Sequence, residues 1–340
     1  MNIVLKLPDT IEDKIQSYPT VHALVKYYKK IIEDKNAEIE DEIEHEVLNF
    51  HFISNKKTVE ILNLLPFNAY YHEFEEEDFK SVFTIHRALV NSKLEACDLF
   101  ISFTQSLVDA TIGKNLKALE RVSFSSGKNN FFLSHKVNLL AGRKKSEQFF
   151  ELLRPLLEDQ FPEQIPNVCS KEMKEYYLDW RENPYVMINL EVKDGVILDY
   201  YQELFDLSEH TNFVLMARDM DDEVYAEEMR KYIETLNTKN TYKIFDSKSL
   251  IDFSKAVSYA WTFITENHQL YQVAAYCGSH IHHLFQENLY SQYGNDYFYA
   301  DVRQFNLSED QFKGADGIQY NKVFDEVIEF INQKQAENQE

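Results

Sequence analysis

MNIVLKLPDTIEDKIQSYPTVHALVKYY, residues 1–28, sets a short apolar run against a longer stretch with helical spacing. Residues 3–7 read as a strand and residues 19–32 as a helix, with a turn between them. The same rhythm recurs outward from this pair. Strand-like runs at 47–53, 69–74 and 99–103 accompany a helical run at 57–65. Further on, strands at 185–190, 212–217, 242–245, 262–265 and 281–285 alternate with helices at 222–236, 250–259 and 270–276. Alternation of this kind predicts α/β architecture, with parallel sheets covered by helices on both faces. Four of the seven prolines, Pro155, Pro162, Pro166 and Pro184, fall in one stretch between the halves, where fixed φ and a missing donor interrupt regular structure. The reading is a doubly wound domain over 1–160, a linker over 161–183, a second doubly wound domain over 184–318 and a C-terminal helix over 319–340 free to pack back on the first domain. Two such Rossmann-like domains facing each other across a cleft bring together two carboxyl edges of parallel strands, the edges where open α/β sheets bind ligands.

At 340 residues the chain is long enough for two cores, and 44% hydrophobic with 14% aromatic residues is a globular composition. With 35 Lys and Arg against 57 Asp and Glu the net charge is −22, which argues against nucleic acid, since a phosphate backbone calls for a clustered basic surface. Cys97, Cys169 and Cys277 are far apart and form no C-x-x-C pair, so they read as reduced thiols of a cytoplasmic protein. The N-terminal apolar run meets acidic residues too soon to be an export signal. The longest charge-free run, 267–286, carries four histidines and would be costly in hydrocarbon, so no segment reads as membrane-spanning. The eight glycines spell no G-x-G-x-x-G and no G-K-[ST], which removes ordinary dehydrogenases and P-loop enzymes. No G-x-S-x-G elbow or Cys/His nucleophile pair supports acyl transfer.

In matching order along nearly the whole chain, several segments resemble glycosyltransferase family 9, the bacterial heptosyltransferases of lipopolysaccharide core synthesis. IVLKLPDTIEDKIQSYPTVHALVKYY is similar to the family's first strand, turn and helix, with Ile11, Asp13, Pro19, Ala23 and Leu24 in pattern and Glu12-Asp13 where the family has Gly-Asp. DLFISFTQSLVDATIGKNLKALERVSF (98–124) resembles a second family segment, with Ser123 where Gly is usual. NPYVMINLEVKDG (183–195) resembles the strand that opens the donor domain, and residues 249–285 follow that domain's last helix–strand–helix–strand run. Departures accompany the matches. Asn267-His268-Gln269 stands where the family carries Asp-[Ser/Thr]-Gly, Gln272 stands where that motif has His, and Asn189 is followed by Leu190-Glu191-Val192 instead of Pro-Gly-Ala.

The resemblance implies a GT-B fold and transfer of a sugar, heptose carried as ADP-heptose, from a nucleoside diphosphate to an anionic acceptor like the lipopolysaccharide core. It further implies inversion, no metal and no cofactor beyond the donor. The implied location is the cytoplasm, at most in peripheral contact with the inner face of the bacterial inner membrane.

Such a transfer needs a base for the acceptor hydroxyl and positive groups for the departing diphosphate. Asp13 is the base the resemblance implies; the competing reading makes it a cap of the following helix. A helix beginning near 267–269 would turn N–H groups and a dipole toward an anion, with Asn267, His268, Gln269 and Gln272 as donor contacts. Gln269, however, places a side chain where glycine would let a phosphate approach. Lys193 is read as neutralising a donor phosphate or else as a solvated lysine, and Glu223 matches the family's ribose-contacting acid. Residues 114–145 hold eight cations against the single acid Glu120, a local charge of +7 that leaves −29 elsewhere. Such an island attracts an anion, and Lys128, Lys136 and Arg143 are read as the acceptor grip.

Two groups admit a metal reading. Asp219, Asp221, Asp222 and Glu223 are more simply acids at a helix start. His280 and His282 fall on one strand face and His283 on the other, so no metal site is expected. Two rivals stand beside the transferase. One is a catalytically silent relative kept for binding, supported by the altered donor motif and by Glu12 beside Asp13; the other is a transferase of a different nucleotide sugar.

Overall fold

The computed structural model describes residues 1–39, 45–92, 94–170, 185–190, 201, 204–217, 223–236, 239–285, 297–306 and 318–337. The chain divides into two compact units, Met1–Val168 and Cys169–Glu340, each built on one six-stranded parallel sheet.

In the first unit the elements run β1 (Asn2–Lys6), α1 (Ile11–Ala37), β2 (Asn49–Asn55), β3 (Tyr70–Phe74), α2 (Val82–Ser92), β4 (Leu99–Ser102), α3 (Leu107–Asn115), β5 (Glu120–Phe124), β6 (His135–Val137), α4 (Lys145–Phe150) and the single turn α5 (Arg154–Leu157). The strand order is β3-β2-β1-β4-β5-β6. Ile3 to Lys6 are all fully buried, as a central strand covered on both faces requires. Val4, Ile53 and Phe100 meet Ile85, Leu89 and Ile112 in the core under α2 and α3.

The second unit runs β7 (Val186–Leu190), β8 (Asn212–Ala217), α6 (Glu223–Ile233), β9 (Thr241–Phe245), α7 (Leu250–Tyr259), β10 (Thr262–Thr265), α8 (His268–Tyr276), β11 (His280–Phe285), β12 (Asp301–Asn306) and α9 (Ile318–Glu337). Its order, β9-β8-β7-β10-β11-β12 read from one edge, repeats the first sheet's topology strand for strand. Two doubly wound α/β units are thus present, as the alternating pattern predicts. The boundary falls after Val168; the rest of the stretch read as a linker, 171–183, lies outside the described residues. On α9, Phe324, Val327 and Ile331 pack with Val186, Ile188, Phe213 and Ile264, so the final helix completes the second unit's own core. Among the described residues no helix is long and apolar enough to cross a membrane.

Two elements differ from the sequence reading. The first helix begins eight residues earlier than Pro19, at Ile11, because the Thr10 side chain caps it and Glu12 and Asp13 complement its dipole. Pro19 is buried inside that helix, which forgoes one backbone hydrogen bond there. The run near 57–65 is a 3₁₀ helix, Lys56–Leu64, rather than an α-helix. It contains the β-branched pair Thr58-Val59, and Leu65 precedes Pro66, which keeps Leu65 out of the helical region.

Candidate active site

At the first sheet's carboxyl edge, β1 delivers a lysine into a buried polar cluster. The Lys6 ammonium donates to the Leu7 carbonyl (2.8 Å) and to Asp9 Oδ1 (2.7 Å), lies 4.0 Å from Asp109 Oδ2 and sits 4.3 Å above the Phe79 ring. Lys14, fully buried on α1, donates to the Asp9 carbonyl (3.3 Å) and to the Thr58 hydroxyl. Burial foremost, then the charge of Lys6, pushes the Lys14 ammonium down to about 7, against the pull of Asp9. Asp109 accepts from the Thr104 hydroxyl (2.6 Å), and burial raises its carboxyl although Lys6 opposes this.

Asp13 follows directly. Its backbone N–H donates to Thr10 Oγ1 (3.2 Å), so Thr10 is the cap and Asp13 occupies the first turn, where the helix dipole favours a negative charge. One carboxylate oxygen, Oδ2, lies 3.5 Å from the Lys145 ammonium; the other, Oδ1, is buried with no hydrogen-bond partner among the described residues. A carboxylate held by a cation on one oxygen and open on the other is equipped to accept a proton. Lys145 opens α4, which packs on α1, so this pair draws the end of the basic island to the candidate base. Lys128 stands exposed in the loop after β5, Lys136 exposed in β6 opposite Ser123, and Arg143 exposed in the loop before α4 with Glu147 at 3.6 Å. Among the described residues neither Lys128 nor Lys136 has a carboxylate partner. The spacing of the sequence does not single out Lys145 or the Lys6–Asp9–Lys14 cluster. A signal for the latter is a lysine in a helix's first turn, where the dipole disfavours it unless something else holds it.

The second sheet's carboxyl edge has a different chemistry. Asn189, at the end of β7, is fully buried and accepts from the Thr265 hydroxyl (3.1 Å). Asn267 caps α8, its Oδ1 accepting from the backbone N–H groups of Gln269 (2.9 Å) and Leu270 (3.1 Å). Those two groups, available to a phosphate on the sequence reading, are taken by the cap. The Gln269 side chain is exposed and Gln272 is fully buried. His268 lies with its ring 5.8 Å from that of His283, which stacks on Tyr271 at 3.9 Å. Burial pushes His268 down to about 4 and His283 to about 3, so both rings are neutral at pH 7. On the opposite face His280 and His282 both reach Thr262 Oγ1, at 3.0 and 2.7 Å, as strand alternation requires. Among the described residues no three His, Cys, Asp or Glu side chains gather in a form that could hold a metal. Glu223 opens α6, its side chain outside the described part, and Lys193 lies outside the described residues altogether.

Two doubly wound parallel sheets of the same strand order define an α/β protein of the GT-B class. Within that class, its fold is that of the family 9 glycosyltransferases. It matches a glycosyltransferase of that family from Veillonella parvula with TM-score 0.68 at 12% identity, over 98% of this chain and 97% of the other. It matches the E. coli heptosyltransferase WaaC, solved with ADP, with TM-score 0.68 at 11% identity over 96% and 99%. For the E. coli ADP-heptose lipopolysaccharide heptosyltransferase II the TM-score is 0.66 at 13% identity, over 98% and 100%. Such identities show a shared fold and a divergent sequence. No family model matches the chain, and no curated protein matches it by sequence.

Proposed function

We propose that the chain is a glycosyltransferase of the heptosyltransferase type, moving a sugar from a nucleoside diphosphate to an acceptor hydroxyl with inversion. The observation that carries this reading is Asp13, which stands at the carboxyl edge of β1 with Lys145 on Oδ2 and a buried, open Oδ1. In the proposed reaction Oδ1 takes the acceptor hydroxyl's proton as its oxygen attacks the anomeric carbon from the face opposite the leaving diphosphate. Lys128, Lys136 and Arg143 favour an anionic acceptor such as a phosphorylated sugar or glycolipid.

The donor is proposed to lie at the second sheet's carboxyl edge, near Asn267, His268 and Gln269, with Lys193 and Glu223 as further contacts and Gln272 supporting the helix from within. ADP-heptose is the proposed donor, in keeping with the fold shared with heptosyltransferases. Titration calorimetry with ADP, UDP and GDP tests this. Selective ADP binding supports it, preference for UDP or GDP moves the donor and keeps the enzyme, and no binding at millimolar concentration overturns it. The last outcome belongs to the second reading, a silent binding relative, which the self-capped Asn267 and buried Gln272 favour.

A further inference from the structure

Leu7 to Thr10 join β1 to α1, and Asp13 follows in the first turn of the helix they lead into. Thr10 already caps α1, so the helix start needs no further anchor. The loop is nevertheless held a second time. Lys6 on β1 takes the Leu7 carbonyl and the Asp9 carboxylate. The Asp9 carbonyl accepts from Lys14 Nζ on α1 (3.3 Å) and from Thr58 Oγ1 (3.1 Å), and Lys14 also donates to Thr58 Oγ1. Lys14 Nζ, Thr58 Oγ1 and the Asp9 carbonyl oxygen thus close a triangle of hydrogen bonds. Thr58 belongs to the 3₁₀ helix Lys56–Leu64, whose start is fixed by Asn55 at the end of β2, with Asn55 Oδ1 accepting from the Lys57 N–H (2.9 Å). The triangle therefore ties the loop under Asp13 to the connection that leaves the neighbouring strand.

We propose that Lys14 and Thr58 are positioning residues for the transfer: their shared bonds to the Asp9 carbonyl fix the β1–α1 loop, and through it the place of Asp13 beside Lys145 and the acceptor.

The proposal rests on Asp13 being the base. Its first support is the anomaly of Lys14 itself. A cation in a helix's first turn is disfavoured by the dipole, and this one is also fully buried near the charge of Lys6. An apolar side chain of similar volume would fill the space without either penalty. Residues that break a local rule concentrate at functional sites. The second support is where the bonds go. The Asp9 carboxylate is taken by Lys6, and Lys14 reaches the Asp9 backbone instead, so it holds the chain and not merely a side chain. The third is persistence. Lys14 is pushed down to about 7, and both its charged and neutral forms carry enough N–H groups for the two bonds it makes. Such rigidity has a use here, because a 1 Å misplacement of a catalytic group can cost about 10²-fold in rate.

Three variants of the full-length chain test this. Thr58→Val keeps the shape and removes the hydroxyl, Thr58→Ser keeps the hydroxyl, and Lys14→Met keeps most of the stem and removes the amine. Transfer is assayed with ADP-heptose as donor and deacylated lipopolysaccharide core as acceptor, and hydrogen–deuterium exchange is followed by mass spectrometry over residues 7–13. In Thr58→Val and Lys14→Met, kcat should fall about 10–100-fold with KM unchanged, and exchange over 7–13 should quicken. Thr58→Ser should restore both. The double variant should lose little more than either single one, since both side chains act at one carbonyl. A pair that only stabilises the fold would lower the unfolding midpoint and leave kcat per folded molecule unchanged, and that result overturns the proposal. Unchanged exchange over 7–13 in both variants overturns it as well. If Lys14→Met fails to fold, the half-buried Thr58 carries the same comparison. A wild-type chain that transfers nothing sinks the proposed function instead, while the exchange still decides whether the triangle holds the loop.

Discussion

The two sheets share one strand order, yet their carboxyl edges differ in kind. The first edge is ionic: buried Lys6, Lys14 and Asp109 gather beside the exposed Asp9, and Asp13 with Lys145 sits next to them. The second edge is built mainly from neutral groups where it is described: Asn189, Thr265 and Asn267 bond one another and the α8 N-terminus, and burial pushes the nearby imidazoles out of their charged range, while the acid Glu266 directly follows β10. The difference teaches that topology places an edge without choosing its electrostatics. Burying a charge is tolerable only where partners meet it, so the three buried ionisable groups around β1, Lys6, Lys14 and Asp109, must be held together or not at all. Neutral polar groups demand only hydrogen bonds, which the short Asn and Thr side chains supply locally.

The comparison breaks most visibly at Asp13. Asp13→Asn keeps shape and removes the proposed proton acceptor, so turnover should fall about 10³-fold with unchanged circular dichroism, in the range that general-base catalysis supplies. Retained turnover in a transfer assay removes Asp13 from the role. Alkali probes the same edge next. The folded pKa of Lys14, about 7, lies below its ordinary 10.5, so between those values the unfolded chain holds a proton that the folded chain has released. Stability therefore rises with pH across that window, by up to ~1.4 kcal/mol per pH unit. Urea unfolding at several pH values should show this slope in the native chain and a flatter one in Lys14→Met, and equal slopes would mean that Lys14 is charged when folded.

Acid probes the second edge. The folded pKa of His283, about 3, lies below its ordinary 6.5, so the unfolded chain binds the extra proton between them and stability falls as pH drops from 6.5. His283→Phe, which preserves the stack on Tyr271, should remove up to ~1.4 kcal/mol per pH unit of that acid sensitivity, read by urea unfolding between pH 5 and 6.5. The smallest effect is expected on the exposed cations. Lys128→Ala combined with Lys136→Ala should raise KM for an anionic acceptor a few-fold, an amount under about 1 kcal/mol that shrinks further in high salt. A salt-independent change of the same size would assign the two lysines to packing instead.

Much of the fold was legible because parallel strands buried on both faces are continuous apolar runs, and these announce themselves without an alignment. β8, α7 and β10 fall where their runs predict, residue for residue. Legibility fades at the edges. β6 spans only His135–Val137 and carries a lysine, and a short, polar edge strand has no buried face to pattern it. The start of α1 escaped for another reason: Pro19 is a conspicuous helix-start signal, whereas the cap at Thr10 is one hydroxyl to one N–H. In the candidate site the composition of the basic island was readable, but the partner of Asp13 was not. Lys145 lies 132 residues away in sequence, and only the packing of α4 on α1 brings it within 3.5 Å.

The sequence by itself determined two doubly wound α/β halves and a basic island within an acidic chain, because hydrophobic periodicity and charge are local properties that survive being read one residue at a time. Tertiary structure alone decided which polar groups meet: Asp13 with Lys145, Lys14 with Thr58, His51 with His72. A pair interaction depends on separation in space, and separation along the chain carries almost no information about it once strands and helices have packed.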